Sequence, residues 1–149
     1  MEVGLPIASN GKRIWSFMID DMVVNLFLII IFYTQISELM VGITEVNEAS
    51  IMLVNQFIVD NMMVVFAIKV LYHTILIWQS GMTFGKYVMK IKTVDMVTGH
   101  TPKFSQAFWR ASVRLISEMF FYIGFLFAFF SPLHQTLHDK LSNCVVIDV

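Results

Sequence analysis

Asp20, Asp21, Lys69, His73, Arg114 and Glu118 stand within or beside long apolar runs of this sequence. An ionisable group in hydrocarbon is costly, so it faces protein or water and finds a partner. Proton relays, ion paths and helix-to-helix ion pairs are built this way. Spacing ties several of these residues together. Arg13 and Asp20 are seven apart, two turns along one helix face. Lys69 and His73 are four apart, and so are Arg114 and Glu118. A long Arg can snorkel to the interface, but a short Asp about 10 Å inside a helix cannot.

If the two apolar helices run antiparallel, His73 lies at the depth of Asp20, with Lys69 one turn deeper. Lys69 or His73 can then meet Asp20 or Asp21, and Arg114 and Glu118 can join from a third segment. With His neutral, Asp20, Asp21, Lys69, Arg114 and Glu118 sum to −1, close to balance. One reading is a salt-bridge lock that fixes helix packing. The other is a pathway in which an Asp binds and releases a proton or a small cation.

Other chemistry is weaker. The stretch from Gly81 to Lys86 is one residue short of a phosphate loop, and Tyr87 stands where Ser or Thr is needed. His134 and His138 are four apart, but no third metal ligand is evident beyond Asp139, so a polar turn near the headgroups is expected. Cys144, the single cysteine, has no nucleophile context and allows no internal disulfide. No enzyme, cofactor or metal site is expected.

The elements that must position these groups follow from composition. The chain has 149 residues, 57% hydrophobic and only 14% charged, where a soluble domain carries about 25% charge. Lipid must therefore solvate much of its surface. A net charge of −1 argues against a nucleic-acid binder. A first span is read over residues 14–34 and a second over 51–78, each long enough for a bilayer. The first run is taken as a retained helix, too long for a signal core. Residues 79–105 read as a soluble loop in which MKIKTV (89–94) alternates like a strand. Residues 106–118 read as an amphipathic helix suited to the interface. The apolar run 119–130 is too short to span alone. The tail, 132–149, ends in a strand-like CVVIDV.

Lys12 and Arg13 precede the first span, none of residues 35–61 is Lys or Arg, and six basic residues fall between 79 and 114. Basic segments mark the cytoplasmic side, so the amino terminus and the 79–105 loop are placed inside. Pairing of CVVIDV with MKIKTV requires 106–131 to enter and return. A third full span would place the tail outside; the re-entrant reading is preferred. The expected fold is membrane all-α: two full transmembrane helices, a third membrane-embedded or re-entrant helical segment, and a small cytoplasmic strand-turn module, forming a single domain over 1–149.

The order of several motifs resembles the RDD family of small membrane proteins, named for one Arg and two Asp. They are Arg13, just before the first span, and Asp20 within it, Gly81-MTF-Gly85-Lys86, the stretch IKTVDMVTGHTPKFSQAFWRASVR, and Leu137-His138-Asp139-Lys140-Leu141. The resemblance covers about residues 8–147 and implies Asp139, in preference to Asp21, as the second signature Asp. The sequence departs from the family at Ser142-Asn143-Cys144, where Ala-Gly-Thr is usual. The resemblance implies a bacterial cytoplasmic (inner) membrane and suggests transport; the layer of Asp20, Asp21, Lys69 and His73 points to protons or monovalent cations as the cargo. Two or three helices are too few to enclose a path, so a homo-oligomer or a membrane-protein partner is expected. The alternative is a non-enzymatic scaffold or assembly factor.

Overall fold

The computed structural model describes residues 6–120 and 123–149. The first five residues, and residues 121–122 of the apolar run 119–130, lie outside the described residues. The chain is mostly helical, with a small antiparallel sheet at one end. Helix α1 (Asn10–Ile31) starts at Ser9, whose hydroxyl accepts the Lys12 N–H. It ends at Phe32, and α2 (Tyr33–Gly42) follows, so the first span is shorter at its far end than the sequence suggested.

Helix α3 (Glu48–Ser80) overruns the expected second span at both ends. A reciprocal Asn47–Ser50 cap opens it, and Gly81, at φ +74°, closes it in the left-handed conformation that glycine tolerates best. At 1.5 Å per residue, α1 is about 33 Å long and α3 about 50 Å. Both are long and apolar enough to cross a membrane.

The loop after α3 holds a short helix that the sequence reading left as a turn, α4 (Phe84–Val88), and then strand β1 (Ile91–Asp95). Helices α5 (Phe104–Met119) and α6 (Ile123–Phe130) follow, with their axes 108° apart. A one-turn helix, α7 (Leu137–Leu141), also unforeseen, precedes β2 (Cys144–Asp148). The expected pairing of the two strands is present, with Thr93 opposite Val146. The return from α5 through α6 is therefore built into the chain, since β2 ends beside β1. Ala8 donates to the Val146 carbonyl and Asp148 to that of Pro6, so the amino-terminal segment lines the other edge of β2.

Packing runs opposite to that of a soluble protein. The buried residues of α1 are Ser16, Asp20 and Val24, and those of α5 include Arg110, Arg114 and Ser117. Met18, Met22, Leu26, Trp109, Ile116 and Phe120 are exposed. Helix α5 was expected to be an amphipathic helix suited to the interface, with Arg114 and Glu118 able to join a buried network. Its charged face turns inward onto protein, where Asp139, His73 and Glu118 offer partners. Among the described residues the apolar core cluster is small, with Ala8, Ile91 and Val146 beneath the sheet.

Helix α4 lies against α1 through Gly85, whose place a β-carbon could take only at 2.1 Å from the Ser16 carbonyl oxygen. Gly85→Ala is expected to cost about 1–3 kcal/mol, the scale of overpacking. Gly11→Ala, in a helix with open space around it, should leave stability unchanged or slightly raised. Thermal unfolding of both variants in mild detergent tests the contrast, and equal effects would contradict the close approach.

Candidate functional site

The charged residues resolve into two buried centres and one partly open layer. The first centre is Asp139. The cap of α7 places it: the Thr136 hydroxyl accepts the Asp139 N–H, and the Asp139 carboxylate accepts the Thr136 N–H. Arg110 of α5 then donates from Nε and Nη2 to one carboxylate oxygen, and Arg13 of α1 donates to the other at 3.0 Å. Arg13 also reaches the carbonyls of His134 and Val146. Asp139 is 1% exposed. Burial alone would raise its pKa, but Arg110, His138 and Arg13 outweigh it and hold the carboxyl well below the usual range. One carboxylate thus joins the start of α1, the middle of α5 and the turn before β2.

The second centre is Asp20, fully buried about 15 Å along α1. Its partners are neither Lys69 nor His73. Tyr72 of α3 donates to it at 2.9 Å, the Thr83 hydroxyl donates to its other oxygen, and the Gly85 N–H donates at 2.8 Å. The reason is geometric. The tight turn of Gly81–Lys86 folds back onto α1, and Gly85 has no side chain to hold it off. Three fixed donors thus hold the Asp20 carboxylate in place.

The third group lies deeper. Lys69 of α3 bonds Asp21 of α1 at 3.3 Å and Glu118 of α5 at 3.0 Å. Arg114 donates to Glu118 at 3.1 Å and faces His73 at 3.3 Å. Arginine has no acceptor, so His73 Nδ1 must accept and the ring proton lies on Nε2. The expected meeting of Lys69 with Asp21 and Glu118 is present, while His73 meets Arg114 rather than an Asp. Asp21 also accepts from Asn25, one turn on. The Lys69 and Asp21 side chains remain 22% and 31% exposed, so this layer opens to the outer surface.

Sequence reasoning missed Tyr72, Thr83 and Gly85 as holders of Asp20, and Arg110 as a ligand of Asp139. The i, i+4 relation of Arg110 to Arg114 was a signal for the latter. It also missed Lys86 and His138. The expected polar turn at His134 and His138 is instead partly a buried helix, with His138 3% exposed. Burial, then Arg110, lowers the Lys86 pKa to about 7, with Asp20 partly opposing. Cys144 is buried beneath the sheet, and burial raises its thiol pKa. No group of three or more potential metal ligands occurs among the described residues.

A helical chain with two bilayer-length apolar helices, polar contacts turned inward and a bent third pair defines a small integral membrane protein. Residues 7–143 match the RDD family, and the chain belongs to it. Arg13, Asp20 and Asp139, implied by the resemblance, sit at the two buried centres. An uncharacterised protein of Rickettsia prowazekii, RP437, is 32% identical over 97 residues, covering 62% of this chain and 53% of that one. A proline-rich antigen homolog of Mycobacterium tuberculosis is 32% identical over 69 residues, 46% of this chain and 29% of its own length. The proline-rich antigen of Mycobacterium leprae is 31% identical over 70 residues, 47% and 28%. The chain thus spans about half or less of these relatives. No solved structure matches it.

Asp139→Asn leaves Arg13 and Arg110 buried without their counter-charge, and is expected to cost about 3–5 kcal/mol. Chemical or thermal unfolding in detergent measures it, and a loss under 1 kcal/mol would contradict the account. Lys86 gives a pH signature. Between pH 7 and about 10 the unfolded lysine carries a proton that the folded one lacks, so stability rises with pH across this window. The stabilisation gained by Lys86→Met should be largest at pH 7 and shrink toward pH 10. A pH-independent difference would refute it.

Proposed function

We propose that this chain is a non-enzymatic subunit of a membrane assembly, made with further copies or another membrane protein, that moves protons or small cations past Asp21, Lys69 and Glu118. In this reading the amino terminus and the sheet module face the cytoplasm, which the excess of Lys and Arg there supports. The observation that carries the proposal is the partial exposure of Lys69 and Asp21 on the outer surface of a single chain. They lie about 16 Å from the near ends of α3 and α1, well inside a hydrocarbon layer about 30 Å thick. Charges at that depth face protein or a water-filled space, not lipid. A neighbouring chain supplies either one, and the pathway is then shared between chains.

Asp20 is a poor carrier in this arrangement, since three donors already fill its acceptor sites. The exchangeable group is Asp21, whose carboxylate shares Lys69 with Glu118. The closed state of Asp20 and Asp139 favours a second reading, in which all three groups are fasteners and the assembly is a scaffold.

Reconstitution in vesicles with a pH-sensitive dye tests the first reading. Asp21→Asn should abolish cation-dependent or proton flux while the protein keeps its wild-type mass in detergent. Wild-type flux in that variant would reject transport through this layer. Stable copurification of a second membrane protein, lost in Lys69→Met, would establish the scaffold in its place.

A further inference from the structure

One cavity of about 190 Å³ lies between α1, α5, α6 and α7, roughly ten times the space that a single water needs. Four cationic side chains line it: Arg13, Lys86, Arg110 and Arg114. The one carboxylate on its wall is Asp139. Adding Asp20, which neighbours Lys86, and Glu118, which pairs with Arg114, four cations still face three anions.

The anions are also already committed. Asp139 is held by Arg13 and Arg110, and Glu118 is shared between Arg114 and Lys69. Asp20 takes its hydrogen bonds from Tyr72, Thr83 and Gly85. Lys86, 6% exposed, has no described residue accepting a hydrogen bond from its ammonium. Arg13 Nε and His138 Nδ1 are likewise buried without a hydrogen-bond partner among the described residues. A buried polar group left unmade is costly, and a buried ammonium more so.

The rest of the wall is apolar, and it reaches the surface. Ile14 and Phe129 line the cavity while 47% and 59% exposed, on the side where the helices present apolar side chains outward. Phe17 and Phe125 form an inner wall against the Arg114 guanidinium, which stacks on both rings. A cationic floor beneath an apolar mouth suits an oxyanion attached to an apolar chain. Guanidinium groups suit phosphate because their planar N–H fork matches its oxygens.

We propose that this cavity binds a phosphate-type oxyanion, carried on the headgroup of an anionic lipid or free in solution, with Lys86 as its principal donor. The bound anion supplies the acceptor that Lys86 lacks and balances the excess of cations. Its charge also offsets the burial that lowers the lysine pKa. This does not rest on transport or on oligomer formation, since the whole wall comes from one chain.

The full chain is purified in a neutral maltoside detergent. Phosphatidylglycerol, phosphatidylcholine and inorganic phosphate are titrated separately while the unfolding midpoint is followed, and retained lipid is counted by native mass spectrometry. A saturable rise with phosphatidylglycerol and none with phosphatidylcholine supports the site and assigns the anion to a lipid. A saturable rise with inorganic phosphate alone supports it and assigns a free anion. Lys86→Gln should weaken binding about 10- to 100-fold, the scale of a charge-assisted hydrogen bond, and Lys86→Arg should restore most of it. Phe129→Asp, at the exposed rim, places a carboxylate in the mouth without disturbing the core and should weaken binding similarly. No shift with any phosphate compound would overturn the proposal. So would wild-type affinity in Phe129→Asp, or in a folded Lys86→Gln.

Discussion

The carboxylate of Asp139, gripped by Arg13 and Arg110, is the contact on which the rest of this molecule depends. A buried ion pair is weak evidence of net stability, because desolvation offsets most of its attraction. Its importance here is positional. It ties the first turn of α1 to the middle of α5 and to the turn that launches β2. With those three points joined, β2 lies beside β1 and the amino-terminal segment closes along its edge. Remove the pairing and the two arginines remain inside with nothing to neutralise them, so the arrangement is all or nothing.

Apolar solvent explains why the centre is polar. In water a chain hides its leucines. In lipid the apolar side chains can face outward at no cost, and the groups needing shelter are carboxylates, guanidiniums and hydroxyls. Ser16, Asp20, Thr83, Arg110, Arg114 and Asp139 are accordingly inside, while Met22, Leu26, Trp109 and Phe130 are outside. The order of motifs gains a physical meaning from this. The Gly-x-Thr-x-Gly-Lys turn supplies the hydroxyl and N–H that fasten Asp20, and its second glycine admits the close approach of two backbones.

Much of this was legible in the residues. Runs of apolar side chains gave α1 and α3 to within a few positions, alternation gave the first strand, and the apolar CVVIDV gave the second. The i, i+4 pairing of Arg114 and Glu118 pointed to a shared face, and depth brought Lys69 or His73 within reach of Asp20 or Asp21 without choosing among them. What was not legible is orientation about a helix axis. The charged face of α5 fitted both an interfacial helix and a buried network, because a polar stripe looks the same whether it meets water or buried partners. The partners of Asp20 were hidden for another reason: a hydroxyl and an amide carry no signature in a sequence, whereas Lys69 and His73 do. Short α4 and α7 escaped because five residues hold too few turns for a period to appear.

The distance along the chain between Arg13 and Asp139 has a consequence for biosynthesis. They are separated by 126 positions, and Asp20 waits more than 60 for Thr83 and Gly85. A ribosome delivers α1 long before any of those groups exist. The first helix must therefore enter the bilayer with its arginine and aspartate unsatisfied, held by water, by headgroups or by the insertion machinery. The aspartate is relieved once α3 and the turn after it emerge, the arginine only when α7 does. Assembly of this small protein is thus ordered in time from its membrane helices to its sheet, and an interruption before α7 leaves an inserted chain in which Arg13 and Arg110 have no counter-charge.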